Sequence, residues 1–116
     1  MDRRIEVVVS NLESRISKPW EIGELAHMVN LSESRLRHLF KQETGKTPAQ
    51  YLKHLRLEKA ELLLRTTFLT VKEITNEVGL VTGSHFVREF KKAYGTAPIV
   101  YRSSLSSSVT KHNSQT

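Results

Sequence analysis

Cysteine is absent from these 116 residues, which removes any disulfide framework or thiolate metal site and points to a reducing cytoplasm. Long apolar runs are missing too. Nothing approaches the ~20 residues a membrane span requires, and Met1 to Glu6 are charged where a secretory leader would be apolar. No glycine-rich phosphate loop occurs. His27, His38, His54, His85 and His112 show no metal-ligand spacing with carboxylates. These gaps argue against an enzyme, a metal centre and a bound cofactor. Aromatics are few, and Trp20 and Tyr94 are expected to pack, which leaves little for stacking the bases of single-stranded RNA.

What is present is a repeat. Ser34, Phe40, Lys41, Gly45, Pro48 and Tyr51 recur fifty residues later as Ser84, Phe90, Lys91, Gly95, Pro98 and Tyr101. Upstream, Leu25, Val29 and Leu31 match Ile74, Val78 and Leu80 at an offset of forty-nine. One residue inserted in a short turn, with helical spacing kept on both sides, is what two copies of a helix-turn-helix unit would show. Two copies are too few for a solenoid.

The apolar periodicity predicts an all-α chain. Ile5, Val8, Val9, Leu12 and Ile16 form one stripe of a first helix ending near Ser17–Lys18. Pro19 suits the first turn of a second helix carrying Ile22, Leu25, Ala26 and Val29. Asn30 and its counterpart Gly79 both tolerate positive φ and mark the same tight turn. Ser32 is expected to cap a third helix that buries Leu36, Leu39 and Phe40 and closes at Gly45. Thr47-Pro48-Ala49-Gln50 reads as a capping box opening a long helix to about Arg65–Thr66. Its apolar residues follow no single stripe, as expected of a strut between two halves. Thr70 opens a fifth helix through Val78. Thr82 caps a sixth that buries Phe86 and Phe90, and a short helical turn follows over Pro98–Arg102. From Ser103 the Ser/Thr-rich tail, 103–116, has little to bury and is expected to be disordered. The folded domain is thus 1–102, with helix-turn-helix units at about 20–45 and 70–95 joined by a linker helix at about 48–66.

Charge follows the repeat. The net charge is +6. Residues 34–56 hold six basic residues against one acidic and residues 84–102 four against one, whereas 1–33 hold four against six and 57–83 three against four. Positive charge therefore gathers in the later part of each copy, which favours a polyanion partner over a merely solvated face. On the third helix, Ser34, Arg37, His38 and Lys41 share the face opposite the apolar one. The sixth presents Ser84, Val87, Arg88 and Lys91, with His85 alongside. Arg can donate two hydrogen bonds to guanine, and Ser or His can reach base edges. Lys41, Lys91 and Lys92, in last turns, suit phosphates, as do Arg35, Lys46 and the helix start at Thr47. A strut of about nineteen residues spans ~28 Å, against ~34 Å between successive major-groove faces. A modest bend of the DNA would close that gap.

The run Leu31-Ser32-Glu33-Ser34-Arg35-Leu36-Arg37-His38-Leu39-Phe40-Lys41 with Gly45, Thr47-Pro48, Tyr51-Leu52 and Leu55-Arg56-Leu57 resembles the DNA-binding domain of AraC/XylS-type bacterial transcription regulators. So do Ile74, Val78-Gly79, Ser84-His85-Phe86, Arg88, Phe90-Lys91-Lys92, Tyr94-Gly95, Pro98 and Tyr101-Arg102. The resemblance covers nearly the whole chain to Arg102. It implies seven helices, two helix-turn-helix units on a rigid linker, and control of transcription at a promoter, usually activation. The family's base-reading positions fall on Ser34, Arg37, His38, Ser84, His85 and Arg88. Leu80 where an aromatic is common, Val81-Thr82-Gly83 without the usual acidic residue, and Thr75 in place of alanine depart from the pattern. With Gly83 and Val87 offering little hydrogen bonding, the second head is expected to act more through phosphates and DNA shape. The expected partner is double-stranded DNA over about two helical turns, bound by a monomer. Docking on RNA polymerase is compatible with this, because activators of this kind do both. Most members also carry an effector-binding or dimerising domain, for which this chain has no room. It reads as a small stand-alone regulator or an excised C-terminal domain, and a helix directly after Met1 leans towards the former.

Overall fold

The computed structural model describes residues 1–80 and 83–105. Helices α1 (Arg3–Ser14), α2 (Ile22–Met28), α3 (Glu33–Thr44), α4 (Pro48–Thr66), α5 (Val71–Val78) and α6 (Gly83–Tyr94) follow in order, and α7 occupies 98–105. No strand occurs among the described residues. The chain divides into two compact units, residues 1–56 and 57–116, with the boundary inside α4.

In the first unit, Ile5, Val8 and Leu12 of α1 pack with Leu25 and Ala26 of α2, Leu36, Leu39 and Phe40 of α3, and Leu52 of α4. The expected α1 stripe is real but the helix stops at Ser14, short of Ser17–Lys18. The following carbonyls are taken by side chains instead of by the next helical turn. Trp20 Nε1 donates to the Arg15 carbonyl at 2.9 Å, and Arg56 Nε and Nη2 donate to Ile16 and Lys18 at 2.7 and 2.8 Å. Ile16 still packs against the core from this irregular turn. Pro19 consequently lies outside α2, whose N-cap is Glu21.

The second unit buries Leu57, Ala60 and Leu64 of α4, Ile74, Thr75 and Val78 of α5, Leu80, and Phe86 and Phe90 of α6. Thr75 takes the place that Ala26 holds in the first unit. Its hydroxyl is satisfied by donating to the Val71 carbonyl one turn back, at 2.8 Å. The expected cap Thr82, with Val81, lies outside the described residues. Helix α7 runs to 105, three residues beyond the end expected for the fold, and the rest of the tail also lies outside the described residues.

Local geometry repeats between the units. Asn30 and Gly79 have φ of 58° and 82°. Behind them the Leu31 and Leu80 amides donate to Ala26 and Thr75 at 3.0 and 3.1 Å. Phe40 meets Tyr51 edge-on at 5.4 Å, and Phe90 meets Tyr101 edge-on at the same centroid distance. The forty-nine and fifty-residue offsets therefore describe two copies of one three-dimensional unit.

Candidate nucleic-acid interface

Helix α3 is started by Ser32, whose hydroxyl accepts the Arg35 amide at 3.1 Å, and ended by Gly45 in the left-handed region. With Leu36, Leu39 and Phe40 buried, the 3.6-residue period turns Ser34, Arg35, Arg37, His38 and Lys41 outward, and all five are exposed. The face that the sequence assigns to reading is therefore presented as one surface. Arg37 Nη2 lies 3.5 Å from Glu33 Oε1, one turn earlier, with both side chains about half exposed. Glu33 in turn lies over Gly23 of α2, where an added Cβ would stand 3.3 Å from Oε2. The carboxylate is thus lodged between the two helices, beside the arginine it partners. Their i, i+4 spacing puts the two side chains on neighbouring turns of one helix face.

Lys46, in the turn after α3, is exposed. Thr47 is committed to the start of α4: its hydroxyl accepts the Gln50 amide at 3.2 Å and its own amide donates to Gln50 Oε1 at 3.0 Å. That reciprocal box occupies the amide that a phosphate would need.

On α6, Phe86 and Phe90 are buried, and Ser84, Arg88, Lys91 and Lys92 are exposed. His85 and Val87 are half-buried, so the second face is narrower and less polar than the first. Arg88 Nη2 stands 3.2 Å from His85 Nδ1, within hydrogen-bond distance. Lys92 Nζ is 4.0 Å from Glu89.

Two arginines, Arg56 and Arg102, stand in the family pattern, but their structural role gave no sequence signal. Arg56 holds the turn before α2, and burial pushes its guanidinium below the ordinary value. Arg102 does the same service before α5, donating to the carbonyls of Leu64, Leu69 and Thr67 at 3.1, 2.6 and 3.3 Å. Each guanidinium ties down the segment entering a helix-turn-helix. Among the described residues there is no group of three His, Cys, Asp or Glu able to hold a metal ion, and no helix is long and apolar enough to cross a membrane.

A helix-turn-helix domain family model matches residues 25–104. The chain belongs to the AraC/XylS family. It is a DNA-binding domain of the kind that this family's bacterial transcription regulators carry. The transcriptional activator RhaR of Mannheimia succiniciproducens is 35% identical over 100 residues, which cover 86% of this chain and 36% of RhaR. The C-terminal domain of the response regulator AraT from Geobacillus stearothermophilus superposes with a TM-score of 0.84 at 31% identity, over 89% of this chain and 86% of that domain. The DNA-binding domain of AdpA, solved with a target DNA, shares the fold with a TM-score of 0.83 at 24% identity, covering 87% and 91% of the two chains. This AraC/XylS chain spans about a third of the length of the curated relatives it matches.

Proposed function

We propose that this chain binds promoter DNA as a monomer, inserting α3 and α6 into adjacent major-groove segments, and activates transcription from there. Ser34, Arg37 and His38 read bases from the first unit, and Ser84, His85 and Arg88 from the second. Arg35, Lys41, Lys46, Lys91 and Lys92 bind phosphates and set the register. Thr47 contributes by holding the start of α4 and, with it, the Lys46 turn. Contact with RNA polymerase and action at the cytoplasmic nucleoid complete the reading.

The observation that carries it is the α3 surface. Ser34, Arg37, His38 and Lys41 stand exposed on one side of a helix whose other side is core, and α6 repeats the plan with Ser84, Arg88 and Lys91. A polar, cationic helix face of this kind is suited to base edges flanked by phosphates. The AdpA domain of the same fold was solved with its target DNA, and RhaR, an activator by name, supports the sign of regulation.

Selection of bound fragments from a random duplex library, followed by footprinting, tests the proposal. It should recover an asymmetric site of roughly two helical turns protected by one molecule. Affinity should fall about 10³-fold or more between ~50 and ~200 mM salt if six or more phosphates are neutralised. No enrichment, or a palindrome that needs two copies, overturns it.

A further inference from the structure

The first unit contains a cavity of about 380 Å³ beside the reading helix. Its walls are mostly apolar, formed by Leu12, Trp20, Ile22, Leu25 and Leu52, and among the described residues Arg37 is the one charged side chain lining it. We propose that this cavity is a binding site for a small monocarboxylate with an apolar body, whose carboxylate pairs with Arg37.

Size and chemistry both favour such an occupant. The volume falls at the lower end of the roughly 300–1,000 Å³ usual for small-molecule sites, which are mostly apolar with a few orienting polar groups. The Arg37 stem can line an apolar wall while its guanidinium remains half exposed at the edge. Its bond to Glu33, at 3.5 Å, lies at the limit of a hydrogen bond. Most of the guanidinium's five donors are left for a second carboxylate, which it can grip bidentately. Thr47, the other polar side chain on the wall, is occupied by the capping box. A neutral lipid would gain only an uncharged hydrogen bond from Arg37, weaker than a carboxylate pair, and a cation would be repelled by it.

One consequence rests on the DNA-binding reading. An Arg37 held by ligand is not available to a base, so ligand and operator should compete at the first unit.

The direct test is equilibrium dialysis of the full chain with labelled octanoate at pH 7, with octan-1-ol and acetate as the uncharged and short-bodied controls. Emission from Trp20, the single tryptophan of the chain, reports where the ligand sits. Saturable octanoate binding that shifts Trp20 emission, with octanol and acetate on the order of tenfold or more weaker, supports the proposal. Arg37→Gln should weaken octanoate by a similar factor. Ala49→Leu, which fills the mouth from an exposed position on the wall, should abolish binding without unfolding the chain. Absence of binding, equal binding of octanol, or undiminished binding by either variant overturns the site. Because dialysis uses no DNA, failure of the promoter reading leaves this result untouched. If the site binds and operator affinity is unchanged at saturating octanoate, only the competition is refuted.

Discussion

Tyr101 Oη donates a 2.6 Å hydrogen bond to Glu61 Oε2, tying α7 to the α4 side of the second unit. Burial pushes the Glu61 carboxyl up, but this bond and those from Arg65 outweigh it, so the net shift is below the ordinary carboxylate value. A carboxyl lowered in the folded protein contributes stability above its unfolded pKa and loses it as pH falls through the folded one. Tyr101→Phe keeps the edge-on ring against Phe90 and deletes only the hydroxyl. It should lower stability by about 1–2 kcal/mol at pH 7, with the difference shrinking once pH drops below about 4. Urea denaturation of both proteins across that range checks this. A loss that does not vary with pH would refute the account.

Arg102 donates to the Leu64 carbonyl in the last turn of α4 and to those of Thr67 and Leu69 in the segment before α5. Arg102→Gln leaves those half-buried acceptors short of donors, so a loss of about 2–3 kcal/mol is expected. Arg102→Lys should recover little of it, because one ammonium cannot reproduce the planar fork. Thermal unfolding at low and high salt distinguishes this from an ion-pair effect. The loss should be nearly the same at both, because the acceptors are neutral.

Thr47 separates a capping role from a phosphate-binding one. Both ends of its reciprocal bond with Gln50 are made within the chain. Thr47→Ala should cost about 1 kcal/mol of stability, read by denaturant titration. The salt slope of duplex binding should stay unchanged at temperatures where the variant is folded. A slope reduced by about one unit would return Thr47 to the phosphate contacts.

The helices and their turns were legible because they are written in local chemistry. Ser32, Thr47, Thr70, Asn30, Gly45 and Gly79 act within a few residues of themselves, and the structure uses each where its side chain or φ preference suggests. The exposed face of α3 followed from the same period that buries Leu36, Leu39 and Phe40. The end of α1 was not legible, since it depends on Arg56, some forty residues away in sequence. Arg102 is hidden for the same reason, and the cavity beside Arg37 arises from four helices that no local pattern relates. Long-range capture of carbonyls by a guanidinium leaves no periodic trace.

Arg37 and Arg88 are not equivalent by position, and their loss should not be equivalent in effect. Counting by the fifty-residue offset, Arg37 is matched by Val87, and Arg88 is matched by His38. The first unit thus presents Arg37, His38 and Lys41 on the exposed face of α3. In the second, Val87 and His85 are half-buried and Arg88 is hydrogen-bonded to the His85 ring. Arg37 must give up a long, exposed bond to Glu33, worth no more than about 1 kcal/mol, to make a bidentate base contact worth about 1–3 kcal/mol of discrimination. Arg37→Ala should therefore weaken operator binding on the order of tenfold or more and narrow the gap between operator and scrambled duplex. Arg88→Ala should cost less affinity and less discrimination, as expected of a head that reads weakly and leans more on phosphates and shape. Competition titrations at one fixed salt concentration decide the matter, and equal losses would show that the two heads contribute alike.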